Sequence, residues 1–182
     1  MIPVFKPKLF LKDYFYVLRS LIKNDISGTS NIVQKFEKEL ASACNRKYAV
    51  AVSNGSVALD LALQSLDLNE EDEVIIPSFT IISCLAAVIR SKAKPIFCDV
   101  NELTWNMDIR NIEKKITSKT KAIVMVHTYG LVADGPNIES FCKERNITLI
   151  EDAAEAHGIT IGNRPTGSFG LMSTFSFYAN KH

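Results

Sequence analysis

The chain of 182 residues is 47% apolar and 23% charged, with 21 basic side chains against 20 acidic ones. This composition excludes a disordered chain, and the balanced charge leaves no basic footprint for nucleic acid or an anionic membrane. The longest uncharged apolar stretch of note, Ile81 to Ile89, is far shorter than the roughly 20 residues that a membrane span needs. We therefore predict a soluble globular protein without nucleic-acid or membrane partners.

The N-terminal residues and the cysteines bear on compartment and metal binding. Lysines interrupt each short apolar run near the N-terminus, so a signal-peptide core is missing there and a cytoplasmic protein is expected. The cysteines lack a CxxC pair and are widely spaced, which argues against zinc and against a disulfide framework. We expect buried, reduced thiols and no metal site. The four cysteines are Cys44, Cys84, Cys98 and Cys142.

The first 30 residues are predicted to form an arm with a helix over Asp13 to Lys23, followed by the loop NDISGTS. A second helix is predicted over Asn31 to Ala43, because its apolar side chains recur at spacings that place them on one face. Those side chains are Ile32, Val33, Phe36 and Leu40. We assign residues 1–30 to the arm and residues 31–182 to one large domain.

From Tyr48 onward, apolar runs of strand length alternate with segments of helix length. The predicted strands are 48–53, 73–77, 93–100, 122–127, 147–152 and 173–177. The predicted helices are Val57 to Leu66, Ile81 to Arg90, Ile109 to Ile116 and Asn137 to Arg145. This alternation predicts the α/β class, with a mostly parallel sheet between helices. Ligands of such sheets bind beyond the carboxyl ends of the strands.

The segment SNGS, Ser53 to Ser56, follows the first predicted strand and opens a helix. Its glycine lets the backbone approach a ligand, and the helix N–H groups together with the Ser56 hydroxyl could hold a phosphate. An ordinary helix cap with a tight turn explains the same four residues. Both interpretations remain open from these residues alone.

The segment EDAAEAHG, Glu151 to Gly158, follows the strand ITLI. Asp152 would project from the carboxyl end of that strand, where a carboxylate can pair with a protonated ring nitrogen. Glu155 and His157 are close enough in sequence to supply further polar contacts. Alternatively, Asp152 caps the following segment and His157 is a structural histidine.

The segment STFSFYANKH, Ser173 to His182, places Lys181 on a polar loop after a strand-like run. A lysine presented to a dry crevice can lose its proton and attack a carbonyl, forming a Schiff base. A lysine near a chain end is also commonly just a solvated residue.

Taken together in this order, these motifs resemble the DegT/DnrJ/StrS family of pyridoxal-phosphate-dependent nucleotide-sugar aminotransferases. The segments that carry the resemblance are SNGS, DEVIIPSFT, AKPIFCDV, HTYG, EDAAEAHG, GSFG and STFSFYANK. The similarity spans nearly the whole chain. Within the family, FTII, TWNMD and EDAAEA are most similar to the GDP-perosamine synthases.

The resemblance implies the large domain of the aspartate-aminotransferase type (PLP fold type I), with a mostly parallel seven-stranded sheet and an active site shared across a homodimer. By the same resemblance, Lys181 would form the Schiff base with pyridoxal phosphate and move the proton between Cα and C4′. Asp152 would keep the pyridine nitrogen protonated, and Glu155 would lie near the ring hydroxyl.

The resemblance further implies a phosphate site and a residue that covers the cofactor ring. The phosphate ligands would be Gly55, Ser56 and Ser176. Many family members carry an aromatic residue at the position of Ile81, so here an aliphatic side chain would cover the ring. Phe79, two residues earlier, is compatible with a place in the core. His127 and His157 are expected to line the pocket.

The implied reaction is a transamination in which an amino donor, usually L-glutamate, aminates a 3-keto or 4-keto nucleotide sugar for polysaccharide or antibiotic-sugar synthesis. The chain ends just after Lys181, so we expect it to be the N-terminal half of an enzyme whose small domain is absent. Two alternatives remain. The first is a sugar dehydratase of the same family, in which histidine replaces the lysine, and the second is an inactive fragment.

Overall fold

The computed structural model describes residues 8–181, which divide into two units after Ala51. Residues 1–7 of the predicted arm and His182 lie outside the described residues. In the part of the chain that the structure describes, no helix is both long and apolar enough to cross a bilayer. All four cysteines are buried, as predicted.

The first unit carries two helices, α1 (Leu11–Ile22) and α2 (Asn31–Ala43). α1 begins slightly earlier than predicted, where the carboxylate of Asp13 accepts the backbone N–H three residues before it at 2.7 Å. α2 has the predicted bounds. After α2, the backbone N–H of Ala51 donates to Glu37 Oε1 at 2.8 Å, which ties the end of this unit to α2.

The second unit alternates strands and helices. The strands are β1 (Glu73–Pro77), β2 (Lys94–Cys98), β3 (Thr120–Val126), β4 (Thr148–Asp152), β5 (Thr160–Ile161), β6 (Arg164–Pro165) and β7 (Met172–Thr174). The helices are α3 (Gly55–Gln64), α4 (Ile82–Arg90), α5 (Ile109–Glu113) and α6 (Gly135–Glu144). Five strands form one parallel sheet in the order β2-β1-β3-β4-β7, and β5 and β6 form a short antiparallel hairpin.

The predicted strand over residues 48–53 was wrong, because these residues are irregular. A strand needs a neighbour that takes up its backbone hydrogen bonds, and none of the described strands pairs with this segment. Its apolar side chains are correspondingly exposed, with Tyr48 at 74% and Val50 at 68%. The predicted strand over residues 173–177 is also shorter than expected, since only Met172–Thr174 pair with β4.

Alternating side chains of the central strands build a core on each face of the sheet. Ile75 and Ile123 point to the side of α5 and α6, whereas Val74 and Val124 point to the side of α3 and α4. These four side chains are fully buried. The sheet therefore lies between two helical layers, and the predicted fold class is confirmed.

Candidate active site

The carboxyl ends of β1 and β3 lie where the strand order changes direction. From β1 the chain moves outward to β2, and from β3 it moves the other way, through β4 to β7. Such a switch point opens a crevice at the carboxyl edge, into which the starts of the neighbouring helices point. The residues predicted from the sequence to bind a cofactor follow strand ends or begin helices at this edge.

The start of α3 is built by Asn54 and Gly55. Asn54 Oδ1 accepts the backbone N–H of Val57 at 3.0 Å, so the predicted helix cap is present, with Asn54 as the capping residue. Gly55 lies against the segment that leads to Lys181, because a Cβ at position 55 would come within 2.8 Å of Ser176 Cβ. The structure thus brings together Gly55 and Ser176, two of the predicted phosphate ligands.

Ser56, the third predicted phosphate ligand, contacts Ser83, which is not predicted from the sequence to belong to the site. The two hydroxyl oxygens are 2.7 Å apart. Both residues are in the first turn of a helix, Ser56 in α3 and Ser83 in α4. Because helix N-termini carry unpaired N–H groups and a partial positive charge, this pair of turns suits an anion.

Asp152 ends β4 and is buried, at 3% exposure. Its Oδ1 accepts the backbone N–H of Ala154 at 3.1 Å, and its Oδ2 accepts the thiol of Cys84 at 3.5 Å. Burial raises the pKa of the Asp152 carboxyl, while these two hydrogen bonds and the charge of Lys181 oppose that rise. A cation placed against this carboxylate would offset the cost of its burial.

Lys181 and Glu155 form an ion pair in which Nζ lies 2.6 Å from Oε1. The Lys181 side chain is only 15% exposed, so the structure does not place it among the solvated lysines. The other carboxylate oxygen of Glu155 accepts the backbone N–H of Tyr129 at 2.8 Å. Glu155 is therefore held at both oxygens, and it fixes the position of the lysine amine.

Ile81 and Phe79 lie near the start of α4. Ile81 is the cap residue of that helix and is 59% exposed. Phe79 is not a core residue, because it is 44% exposed and packs edge-on against Trp105 and Tyr129, with ring centroids 5.7 and 6.2 Å away. This aromatic cluster could not be predicted from local patterns, because its members come from three separate segments of the chain.

His127 does not line the pocket as predicted. It is fully buried on the α6 side of the sheet, where the backbone N–H of Ala133 donates to Nδ1 at 2.9 Å. Nε2 consequently carries the hydrogen and donates to Glu151 Oε1 at 2.8 Å. Glu151 also accepts the backbone N–H groups of Gly167 and Phe169, so the pair anchors the loop before β7.

His157 lies beside two aromatic rings that follow β7. Its ring centroid is 5.3 Å from that of Phe175 and 5.0 Å from that of Phe177. These contacts place the imidazole against the segment that leads from β7 to Lys181.

Comparison with known proteins identifies the family of the chain. Residues 12–182 match the model of the DegT/DnrJ/EryC1/StrS aminotransferase family. The chain is 46% identical over 180 residues to the GDP-perosamine synthase of Escherichia coli O157:H7, covering 99% of this chain and 50% of that protein. The chain thus spans about half the length of the curated relatives it matches.

Two solved structures extend the comparison. A Streptococcus pneumoniae protein in its PLP form is 28% identical, with a TM-score of 0.87 over 99% of this chain and 50% of that one. A GDP-4-keto-6-deoxymannose-3-dehydratase variant with bound GDP-perosamine is 29% identical, with a TM-score of 0.93 over 100% of this chain and 48% of that one. The expectation of pyridoxal phosphate is confirmed at the level of the family. On sequence and fold alike, the chain belongs to the DegT/DnrJ/EryC1/StrS aminotransferase family.

Proposed function

We propose that the complete protein transfers an amino group from an amino acid, L-glutamate, to a keto nucleotide sugar, as in GDP-perosamine synthesis for a surface polysaccharide. The observation that carries the proposal is the placement of Lys181. Its side chain is largely shielded from water, and its amine lies 2.6 Å from Glu155 Oε1. The positive charge of the amine also lowers the pKa of Asp152. The similarity to the E. coli GDP-perosamine synthase supports the sugar, and assembly as a homodimer rests on the family resemblance.

The residues at this edge of the sheet fit pyridoxal phosphate. Lys181 offers a primary amine for the carbonyl of the cofactor, and Asp152 offers a buried carboxylate for a protonated ring nitrogen. The first turn of α3, with Ser56 and the adjoining Ser83 and Ser176, offers hydroxyl and N–H groups for the phosphate. A protonated ring nitrogen would stabilise the ionised form of Asp152, which burial alone disfavours.

Lys181 would move the proton, and Glu155 positions the amine that does so. When bound, pyridoxal phosphate supplies an electron sink for the carbon that loses its proton. With the cofactor in place, the amine of Lys181 would take the proton from Cα of the donor and deliver it to C4′, and it would move a proton in the reverse direction when the keto sugar is aminated. Glu155 aims that amine, because its own carboxylate is fixed by the Tyr129 N–H.

A sugar dehydratase is the second candidate, favoured by the structural likeness to GDP-4-keto-6-deoxymannose-3-dehydratase. The resemblance associates a histidine, in place of the lysine, with that activity, whereas this chain has Lys181 five residues after Ser176. The products differ, since a transaminase yields an amino sugar and a dehydratase yields a deoxygenated keto sugar.

The test uses the full-length protein with pyridoxal phosphate, L-glutamate and GDP-4-keto-6-deoxymannose, followed by mass spectrometry of the nucleotide sugar. We expect an amino sugar to form and Lys181→Ala to lower the rate by at least about a thousandfold, because the proton-transferring base is lost. Borohydride treatment should attach the cofactor to the unsubstituted protein and not to the variant.

Lys119→Ala is the matched control, since Lys119 is also paired with a glutamate, Glu71, but on the exposed surface. It should leave the rate unchanged. A deoxygenated product would favour the dehydratase, and absence of any product with a series of donors would favour an inactive protein. Retained transamination by Lys181→Ala would contradict the role of this lysine.

A further inference from the structure

Cys84 is a buried thiol that faces Asp152 from α4. Its Sγ donates to Asp152 Oδ2 at 3.5 Å, and Thr80 Oγ1 lies 3.3 Å from the same sulfur. The single thiol hydrogen is directed at the carboxylate, so the Thr80 hydroxyl is the donor to the sulfur. The three side chains form a hydrogen-bonded chain that ends on Asp152.

The surroundings keep this thiol neutral. Cys84 is fully buried, and burial together with the charge of Asp152 raises its pKa to about 12. It therefore retains its hydrogen at neutral pH and serves Asp152 as a donor. Donors to an ionised carboxylate stabilise that form, which burial otherwise disfavours.

Each oxygen of Asp152 has one donor, Ala154 N–H at Oδ1 and Cys84 at Oδ2. Two other titratable side chains lie near this carboxylate: Lys181, whose positive charge is paired with Glu155, and His127, which follows β3, accepts the Ala133 N–H at Nδ1 and is bonded to Glu151 through Nε2. Cys84 is the side chain that reaches Asp152 from the helical layer. It is therefore suited to fix the orientation of the carboxylate.

We propose that Cys84 is a positioning residue that keeps Asp152 ionised and oriented toward the ring nitrogen of the cofactor. The proposal rests on the proposed function, because it assigns a partner to the residue that would hold the ring. Thr80 completes the arrangement by orienting the thiol. Cys84 itself does not touch the cofactor in this role.

The experiment measures the affinity of the full-length apoprotein for pyridoxamine phosphate as a function of pH. Affinity should fall on the acid side as Asp152 of the free protein takes up a proton. In Cys84→Val, which removes the donor at similar volume, this fall should begin about one pH unit higher. Cys84→Ser restores a donor and should return the profile toward that of the unsubstituted protein.

Cys142→Val is the matched control, because Cys142 is equally buried but lies in the core on the other face of the sheet. It should leave the pH profile in place. If Cys84 only fills space, Cys84→Val would change the affinity by a factor independent of pH, and the proposal would be wrong. Failure of the unsubstituted protein to bind pyridoxamine phosphate at any pH would overturn the proposed function, and this inference with it.

Infrared spectroscopy tests the hydrogen bond itself and does not depend on the folding of Cys84→Val. The spectrum of the unsubstituted protein minus that of Cys84→Ser isolates the S–H stretch of Cys84. We expect this band at lower frequency than the corresponding band of Cys142, and Asp152→Asn should move it to higher frequency. If Asp152→Asn left the frequency of this band unchanged, the proposal would be overturned.

Discussion

The space beside the Cα atom of Gly55 is occupied by Ser176. A Cβ at position 55 would lie 2.8 Å from Ser176 Cβ and 3.3 Å from the carbonyl oxygen of Phe175, closer than packed atoms normally approach. Gly55→Ala should therefore lower the free energy of unfolding by about 1–2 kcal/mol, even though alanine favours helices. Because Ser176 has to move, affinity for pyridoxamine phosphate should fall about tenfold, which corresponds to roughly 1.4 kcal/mol. Urea unfolding and a fluorescence titration measure the two effects.

Gly28 provides the control at the same scale, since a Cβ there would meet no atom within 4 Å. Gly28→Ala should change the free energy of unfolding by less than about 0.5 kcal/mol and leave the affinity unchanged. If Gly55→Ala behaved in the same way, the contact with Ser176 would not constrain the start of α3.

Some residues of the site can be predicted from the sequence and others cannot. Lys181, Asp152 and Glu155 are candidates because they lie at or after the ends of predicted strands, which local apolar runs locate, whereas their individual roles come from the family resemblance. Ser83 and Cys84 were missed as partners of the site, because their contacts join positions far apart in the chain. Cys84 and Asp152 are separated by 68 residues, a relation that no local pattern in one sequence encodes.

At the scale of elements, an ion pair joins α6 to β6 and the loop before β7. Arg164 donates to Glu139 at 2.8 and 3.3 Å and to the carbonyl oxygen of Ser168 at 2.6 Å, and the Gly170 N–H donates to Glu139 at 2.9 Å. The hydrogen bonds that Glu139 accepts, that from Arg164 foremost, lower its pKa from 4.5 to about 2 against the effect of burial. The loop before β7 is thereby held against α6.

We call the ion pair of Arg164 and Glu139 the clamp. The lowered pKa of Glu139 makes its contribution to stability dependent on pH. Because the folded-state pKa lies below the unfolded value, the stabilisation is fully present above about pH 4.5 and is lost as the pH falls toward about 2. Glu139→Gln should lower the free energy of unfolding by about 1–2 kcal/mol at pH 7, a figure reduced for the partial exposure of Arg164. The difference from the unsubstituted protein should shrink below pH 4. Urea unfolding at a series of pH values measures it.

Glu113→Gln is a suitable comparison, because Glu113 pairs with Arg145 while 62% exposed. Its free energy of unfolding should stay close to that of the unsubstituted protein at every pH. An equal loss in both variants, or a loss in Glu139→Gln that persists at pH 2, would contradict the assignment of the clamp.

Whole elements were predictable to different degrees. β1 and α2 have the predicted bounds because their apolar pattern and their flanking polar residues agree. The segment 48–53 has an equally apolar pattern but no described strand to pair with. Periodicity reports which side chains favour burial, whereas strand formation also depends on a neighbouring backbone.

At the scale of the whole molecule, burial is distributed unequally between the two units. In β3, the side chains of residues 122–125 are fully buried, and the strand is paired on one side with β1 and on the other with β4. β2 forms an edge of the sheet and, among the described strands, pairs only with β1. α1 has no buried residue, although many of its side chains are apolar.

This inequality predicts a hierarchy of amide hydrogen exchange in the 182-residue chain. Amides of β3 can exchange only when the sheet opens, so their rates should follow global unfolding and rise with added urea. Amides of α1 should exchange at least about a thousandfold faster and respond little to urea, because few contacts oppose the local opening of this helix. β2 should lie between the two. Mass spectrometry of peptic fragments resolves the three segments, and protection of α1 equal to that of β3 would mean that its apolar side chains are covered in solution.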